Sequence, residues 1–174
     1  ALENRLKDVK DAIEAEKAVV VAETEKTQAT VDTARELVNA LKDSEKKTEL
    51  TNRLDAVQAE IDAKKAEEAV EQAEQTKDQA DVDAAEALVE KLPEGEKKDE
   101  LEKRLEKVQD EIDAAARAKA LEEATAAVEK AERTFKEEDY NTAKTLVDAL
   151  DDSEAKTALE NRLKDVKDAI EAEK

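Results

Sequence analysis

The 174-residue chain has no cysteine, histidine, methionine or tryptophan, and only one residue each of glycine, proline, phenylalanine and tyrosine. Without cysteine or histidine there is no disulfide framework, thiol nucleophile, zinc or haem ligand set, or imidazole acid–base group. Long apolar runs are also missing. None approaches the roughly 20 residues of a membrane span, and no stretch reads as a signal peptide. Positive charge is outnumbered, with 30 Lys+Arg against 49 Asp+Glu, giving a net charge of -19. That balance argues against binding nucleic-acid phosphates or an anionic membrane surface. Most chemistry is excluded before any motif is read.

What remains is rich in Ala, Glu, Lys and Leu, and the helix breakers Pro93 and Gly95 share one loop. Such a composition means disorder if its apolar residues are unpatterned and long helices if they recur every 3.5–3.6 residues. They recur. The sequence ALENRLKDVKDAIEAEK at 1–17 returns unchanged at 158–174, with degenerate copies around Leu50 and Leu101. In each copy the apolar positions step by 4, 3 and 4: Leu2/Leu6/Val9/Ile13, Leu50/Leu54/Val57/Ile61, Leu101/Leu105/Val108/Ile112 and Leu159/Leu163/Val166/Ile170. This spacing lays one narrow seam along a helix.

A second element appears three times, as VDTARELVNAL from Val31, VDAAEALVEKL from Val82 and YNTAKTLVDAL from Tyr140. A third is Ala-rich, with Ala15/Ala18/Val19/Ala22, Ala66/Ala69/Val70/Ala73 and Ala124/Ala127/Val128/Ala131 on its seam. In chain order the pattern predicts helices A (Ala-rich), B and C. Thr27 and Asp78 are expected to cap helix B, with Asp139 doing so one turn later in the third copy. Ser44, Gly95 and Ser153 stand where helix C needs its cap. No breaker separates a C helix from the next A helix. The interval from Ile13, Ile61 and Ile112 to Ala22, Ala73 and Ala131 grows by steps of three and seven residues, each near whole helical turns. The expected fold is therefore all-α: tandem three-helix bundles sharing continuous helices in an elongated rod, the longest helix running from about Glu96 to Phe135. The expected modules are 14–62, 63–113 and 114–174, with 1–13 as the last helix of a preceding module. Beginning in mid-pattern, the chain is expected to be part of a longer one.

The run from Thr27 through Asp62, with its counterparts at 78–113 and 136–171, resembles the tandem three-helix modules of Gram-positive cell-surface and S-layer-type proteins, FIVAR-like modules among them. Its junctions are spectrin-like. The resemblance covers nearly the whole chain and rests on Ala/Leu/Val/Asp spacing. It implies an extracellular, wall-attached parent whose modules act as stalk spacers or bind a host protein or wall polymer. The expected function is thus a non-enzymatic spacer that projects a functional domain, monomeric, with neighbouring identical repeats in the parent chain as its contacts. A helical binding module and a designed repeat protein are the alternatives. The duplicated 17 residues fit either a larger natural super-repeat or an appended helix.

No catalytic, cofactor or metal residues are assigned. The acidic runs 137–139 and 151–154 lack the glycine of a calcium loop and read as helix caps. Phe135 and Tyr140, the only aromatics, flank the third A–B turn. Local packing that closes the bundle end is the leading expectation for them, and a contact patch the alternative.

Overall fold

A computed structural model describes residues 2–172, all helices and short turns. The helices are α1 (Leu2–Glu25), α2 (Gln28–Asn39), α3 (Glu45–Thr76), α4 (Gln79–Val89), α5 (Glu96–Thr134), α6 (Glu137–Asp148) and α7 (Glu154–Ala172). Among the described residues there is no strand. The chain divides into two compact units, one ending at Val108 and the other beginning at Gln109.

In the first unit, α1, α2 and the first half of α3 close around one apolar cluster. Ala15, Val19 and Ala22 come from α1, Val31, Ala34 and Val38 from α2, and Leu50, Leu54, Val57 and Ile61 from α3. These are the seam positions of the three repeated elements. The alanines contribute little apolar area, but they cost almost no side-chain entropy and let backbones approach closely. The same pattern is buried again by Ala66, Val70 and Ala73 of α3, Val82, Ala85 and Val89 of α4 with Leu92 just beyond it, and Leu101, Leu105 and Val108 of α5. One helix, α3, thus gives its Leu/Val/Ile half to the first set and its Ala-rich half to the second.

The second unit repeats the scheme with Ala124, Val128 and Ala131 of α5, Ala143 and Val147 of α6, and Leu159, Leu163, Val166 and Ile170 of α7. Ile112 is only half-buried, unlike its counterparts Ile61 and Ile170, and the seven residues after Asp113 are exposed on every face of α5. Across all described residues no polar or charged side chain is buried. The interior is wholly aliphatic, so specificity of pairing must come from shape and from the charged rim.

Most turns follow the expected chemistry. Thr27 Oγ1 accepts from the Thr30 amide and Asp78 Oδ1 from the Ala80 amide. Ser44 and Ser153 accept from the Lys47 and Lys156 amides. Helix α6 departs from the pattern: its N-cap is Lys136, which makes no side-chain cap bond. Asp139 lies inside the first turn, its carboxylate held by the Thr134 hydroxyl at 2.7 Å and Lys130 at 2.8 Å, so it is not free to cap. The acidic triplet 137–139 instead faces the positive end of the helix dipole.

Lys26, Lys77 and Phe135 share a left-handed backbone, φ 49°, 51° and 48°, immediately after α1, α3 and α5. Each donates its amide to a carbonyl four residues back. This is the αL helix stop that glycine usually provides. It explains why Phe135 does not extend the seam of Ala131. The chain has already left helical geometry there, and the ring is 42% exposed.

Candidate functional site

The arrangement that recurs most faithfully outside the core is an ion pair joining the Ala-rich helix to the Leu-rich one. Arg53, Arg104 and Arg162 each stand directly before a core leucine (Leu54, Leu105, Leu163). Glu23, Glu74 and Glu132 each stand directly after a core alanine (Ala22, Ala73, Ala131). The arginine Nε and Nη2 donate to the two oxygens of one glutamate, at 2.7 and 2.6 Å for Arg53–Glu23, 2.9 and 2.7 Å for Arg104–Glu74, and 2.7 Å twice for Arg162–Glu132. Each pair is half-buried on the bundle flank, where the planar fork of arginine fixes both distance and orientation. Hydrogen bonds from the arginines hold Glu23, Glu74 and Glu132 below the ordinary carboxylate value, against the opposing push of partial burial.

The first two sets add a lysine pair, Lys46 with Glu16 and Lys97 with Glu67. In the third set both partners are replaced together: Ala155 stands for the lysine and Thr125 for the glutamate. The threonine hydroxyl donates instead to the Leu121 carbonyl, one turn back in its own helix. A further lysine fastens each B–C turn. Lys47 donates to the Leu41 and Asn39 carbonyls, Lys156 to those of Leu150 and Asp148, and Lys98 to that of Glu90. These are the C-terminal carbonyls that a helix end leaves without partners. The fixed offsets in the sequence carry this signal, 30 residues between glutamate and arginine in all three sets.

Of the two aromatics, Tyr140 packs against the third core from the slot of Val31 and Val82. Phe135 is exposed, on the opposite side of the turn in sequence. The acidic runs supply the first turn of α6 and the turn before α7. Among the described residues no group of three or more acidic side chains is placed to hold a metal ion. A recess of about 380 Å³ is lined in part by Ala116, Arg117, Leu121, Leu150 and Asp151, and the Arg117–Asp151 pair spans it at 3.3 Å. Its one carboxylate is that of Asp151. No described helix is long and apolar enough to cross a membrane.

No family model and no solved structure matches the chain. The minor extracellular protease Epr of Bacillus subtilis (strain 168) is similar, 43% identical over 153 residues. The match takes in 88% of this chain and 23% of that protein, so the chain spans under a quarter of its relative's length.

Proposed function

We propose that the chain is a non-enzymatic spacer of an extracellular protein: three three-helix modules in tandem at 14–62, 63–113 and 114–174, preceded by the closing helix of another. The observation that carries this reading is that α3 and α5 each pass from the Leu-rich element to the next Ala-rich one without a break. A 32-residue and a 39-residue helix of this kind measure about 48 and 58 Å. A continuous helix at a junction resists bending as a loop does not, while the acidic surface keeps neighbouring stalks apart. The aliphatic interior and the absence of histidine and cysteine leave little for catalysis. The likeness to part of an extracellular protease supports a place outside the cell, in a parent that carries another domain. Wall attachment rests on the resemblance to surface-protein modules.

Small-angle scattering tests the reading. Three modules of roughly 25 Å, from helices of ~15 residues at 1.5 Å rise, give a maximum dimension of roughly 75–85 Å. A folded-back globule of this length gives about 45 Å, and that value would end the spacer proposal. A second reading, a binding module for a host protein or wall polymer, is favoured by exposed apolar side chains outside the seams, Val20 and Val21 of α1 and the ring of Phe135. Retention on purified wall polymer that disappears on Phe135→Ala would support it.

A further inference from the structure

Helices α3 and α5 both run from a Leu-rich element into an Ala-rich one, but they make the passage differently. In α3 the last Leu-rich core residue, Ile61, is 7% exposed, and the first buried alanine, Ala66, follows five residues later. In α5 the matching Ile112 is half-buried, and the first buried alanine, Ala124, comes twelve residues on. The difference of seven residues is the length of the run 114–120, Ala-Ala-Ala-Arg-Ala-Lys-Ala, in which every residue is exposed. We propose that this run is a break in cooperativity. The core of α5, α6 and α7 opens and refolds by itself, whereas the two cores that share α3 open together.

The polar side chains differ in the same sense. In α3, Gln58 donates to Asp62 at 3.0 Å and exchanges amide hydrogen bonds with Gln28 of α2, and Lys65 donates to the same Gln28 at 3.2 Å. The start of α2 is thereby fastened to the passage itself. In α5, Ala116 stands where α3 has Lys65, four residues after the isoleucine, and has no group to offer. Among the described residues, the polar side chains of 114–120 reach another element once, through Arg117 and Asp151 at 3.3 Å. Those two side chains are 67% and 78% exposed, where solvent screening leaves an ion pair little weight.

Alanine, arginine and lysine are among the strongest helix formers, so 114–120 is helical by propensity and by continuity with the turns on either side. A stretch held only in that way is marginal in water. Opening it breaks backbone bonds that already face solvent and uncovers no buried side chain. In α3 only the four residues 62–65 separate Ile61 from Ala66, little more than one turn, so an opening there draws one of those two side chains out of its core. Full burial of an isoleucine is worth a factor of about ten or more in such an equilibrium. Loss of either core on α3 therefore weakens the other, while loss of the α6–α7 packing stops at 114–120. The inference concerns cooperativity alone and does not depend on the spacer reading.

Native-state hydrogen exchange of the full chain in low urea tests this, with Leu54→Asp and Leu163→Asp as matched core disruptions. In the unaltered chain the amides of 114–120 should exchange at least about tenfold faster than those of 62–66, by openings that urea leaves unchanged because they expose no new surface. Leu163→Asp should abolish protection in α6 and α7 and leave that of α4 within about threefold. Leu54→Asp should abolish protection in α2, lower that of α4 by more than about threefold, and leave α6 and α7 within that limit. A chain lacking 114–120 has the Ile112–Ala124 spacing of Ile61–Ala66, with a change of helical phase of only about 20°. In that chain Leu163→Asp should lower the protection of α4 beyond the same limit. Four results would overturn the proposal: a smaller difference between 114–120 and 62–66, a larger loss in α4 from Leu163→Asp, a smaller loss there from Leu54→Asp, or a shortened chain whose α4 still ignores Leu163→Asp. The last would show that the seven residues are not the cause of the break.

Discussion

Leu6→Ala and Leu163→Ala are the same substitution in the same seventeen-residue sequence, which separates burial from every local effect. Leu6 is 58% exposed and Leu163 is 4% exposed, in a core with Val128, Ala131 and Val147. Helix propensity changes little from leucine to alanine, and equally at both sites. At Leu163 the loss combines the transfer free energy of the removed methyl and methylene groups with the cavity left behind, about 2–4 kcal/mol. At Leu6 there is no cavity to form, and the cost is about 0.5 kcal/mol or less. With a urea slope of about 1–3 kcal/mol per molar, Leu163→Ala should lower the midpoint of the α6–α7 transition by about 1–2 M, and Leu6→Ala by a few tenths at most. Hydrogen exchange of the α6 and α7 amides assigns the loss to the second unit, since local opening is read residue by residue. Equal effects at the two sites would refute the reasoning. If both were small, the α7 seam would not be packed; if both were large, α1 would already be covered in dilute solution.

Replacing Arg53, Arg104 and Arg162 together by alanine should lower stability by about 0.5–1 kcal/mol per bundle at neutral pH, the solvent-screened worth of a bidentate pair at a bundle flank, measured by thermal melting at low salt. Because the folded-state values of Glu23, Glu74 and Glu132 lie below the ordinary 4.5, their stabilisation is fully present above that pH. It is lost as pH falls through the depressed values, so the gap between wild type and triple variant should close below pH 4.5; a gap unchanged at pH 2.5 would contradict the ion-pair assignment. Lys77→Gly should raise the melting temperature, by about 0.5–1 kcal/mol of stability, because glycine takes the left-handed conformation without the Cβ clash; a fall would show that the lysine side chain outweighs the backbone strain.

The seams were legible because each depends on periodicity alone. The steps of 4, 3 and 4 from Leu50 to Ile61 mark a single helix face whatever that face packs against. Ser44, Thr27 and Asp78 were legible for a similar reason, since a cap bond reaches only two or three residues along the chain. Asp139 was not, because its carboxylate is captured by Thr134 and Lys130 from the preceding helix. Phe135 was misjudged because a run of helical spacing does not show where a left-handed residue ends it. The Glu–Arg clasps lie between these cases: their 30-residue offset is visible in the sequence, but only packing of α1 on α3, or its equivalent, gives that offset a meaning.

The duplicated segment separates the two kinds of information. Its sequence determines a helix at both ends of the chain, with the same four aliphatic residues on one face and the same arginine beside them, because hydrogen bonding and side-chain direction within a helix are local. Whether that face is core or surface is settled by what lies across from it. Helix α7 follows α5 and α6 and is covered by them, whereas the first half of α1 meets no such pair among the described residues. Burial is a property of two surfaces at once, so identical residues are interior at Leu163 and exposed at Leu6.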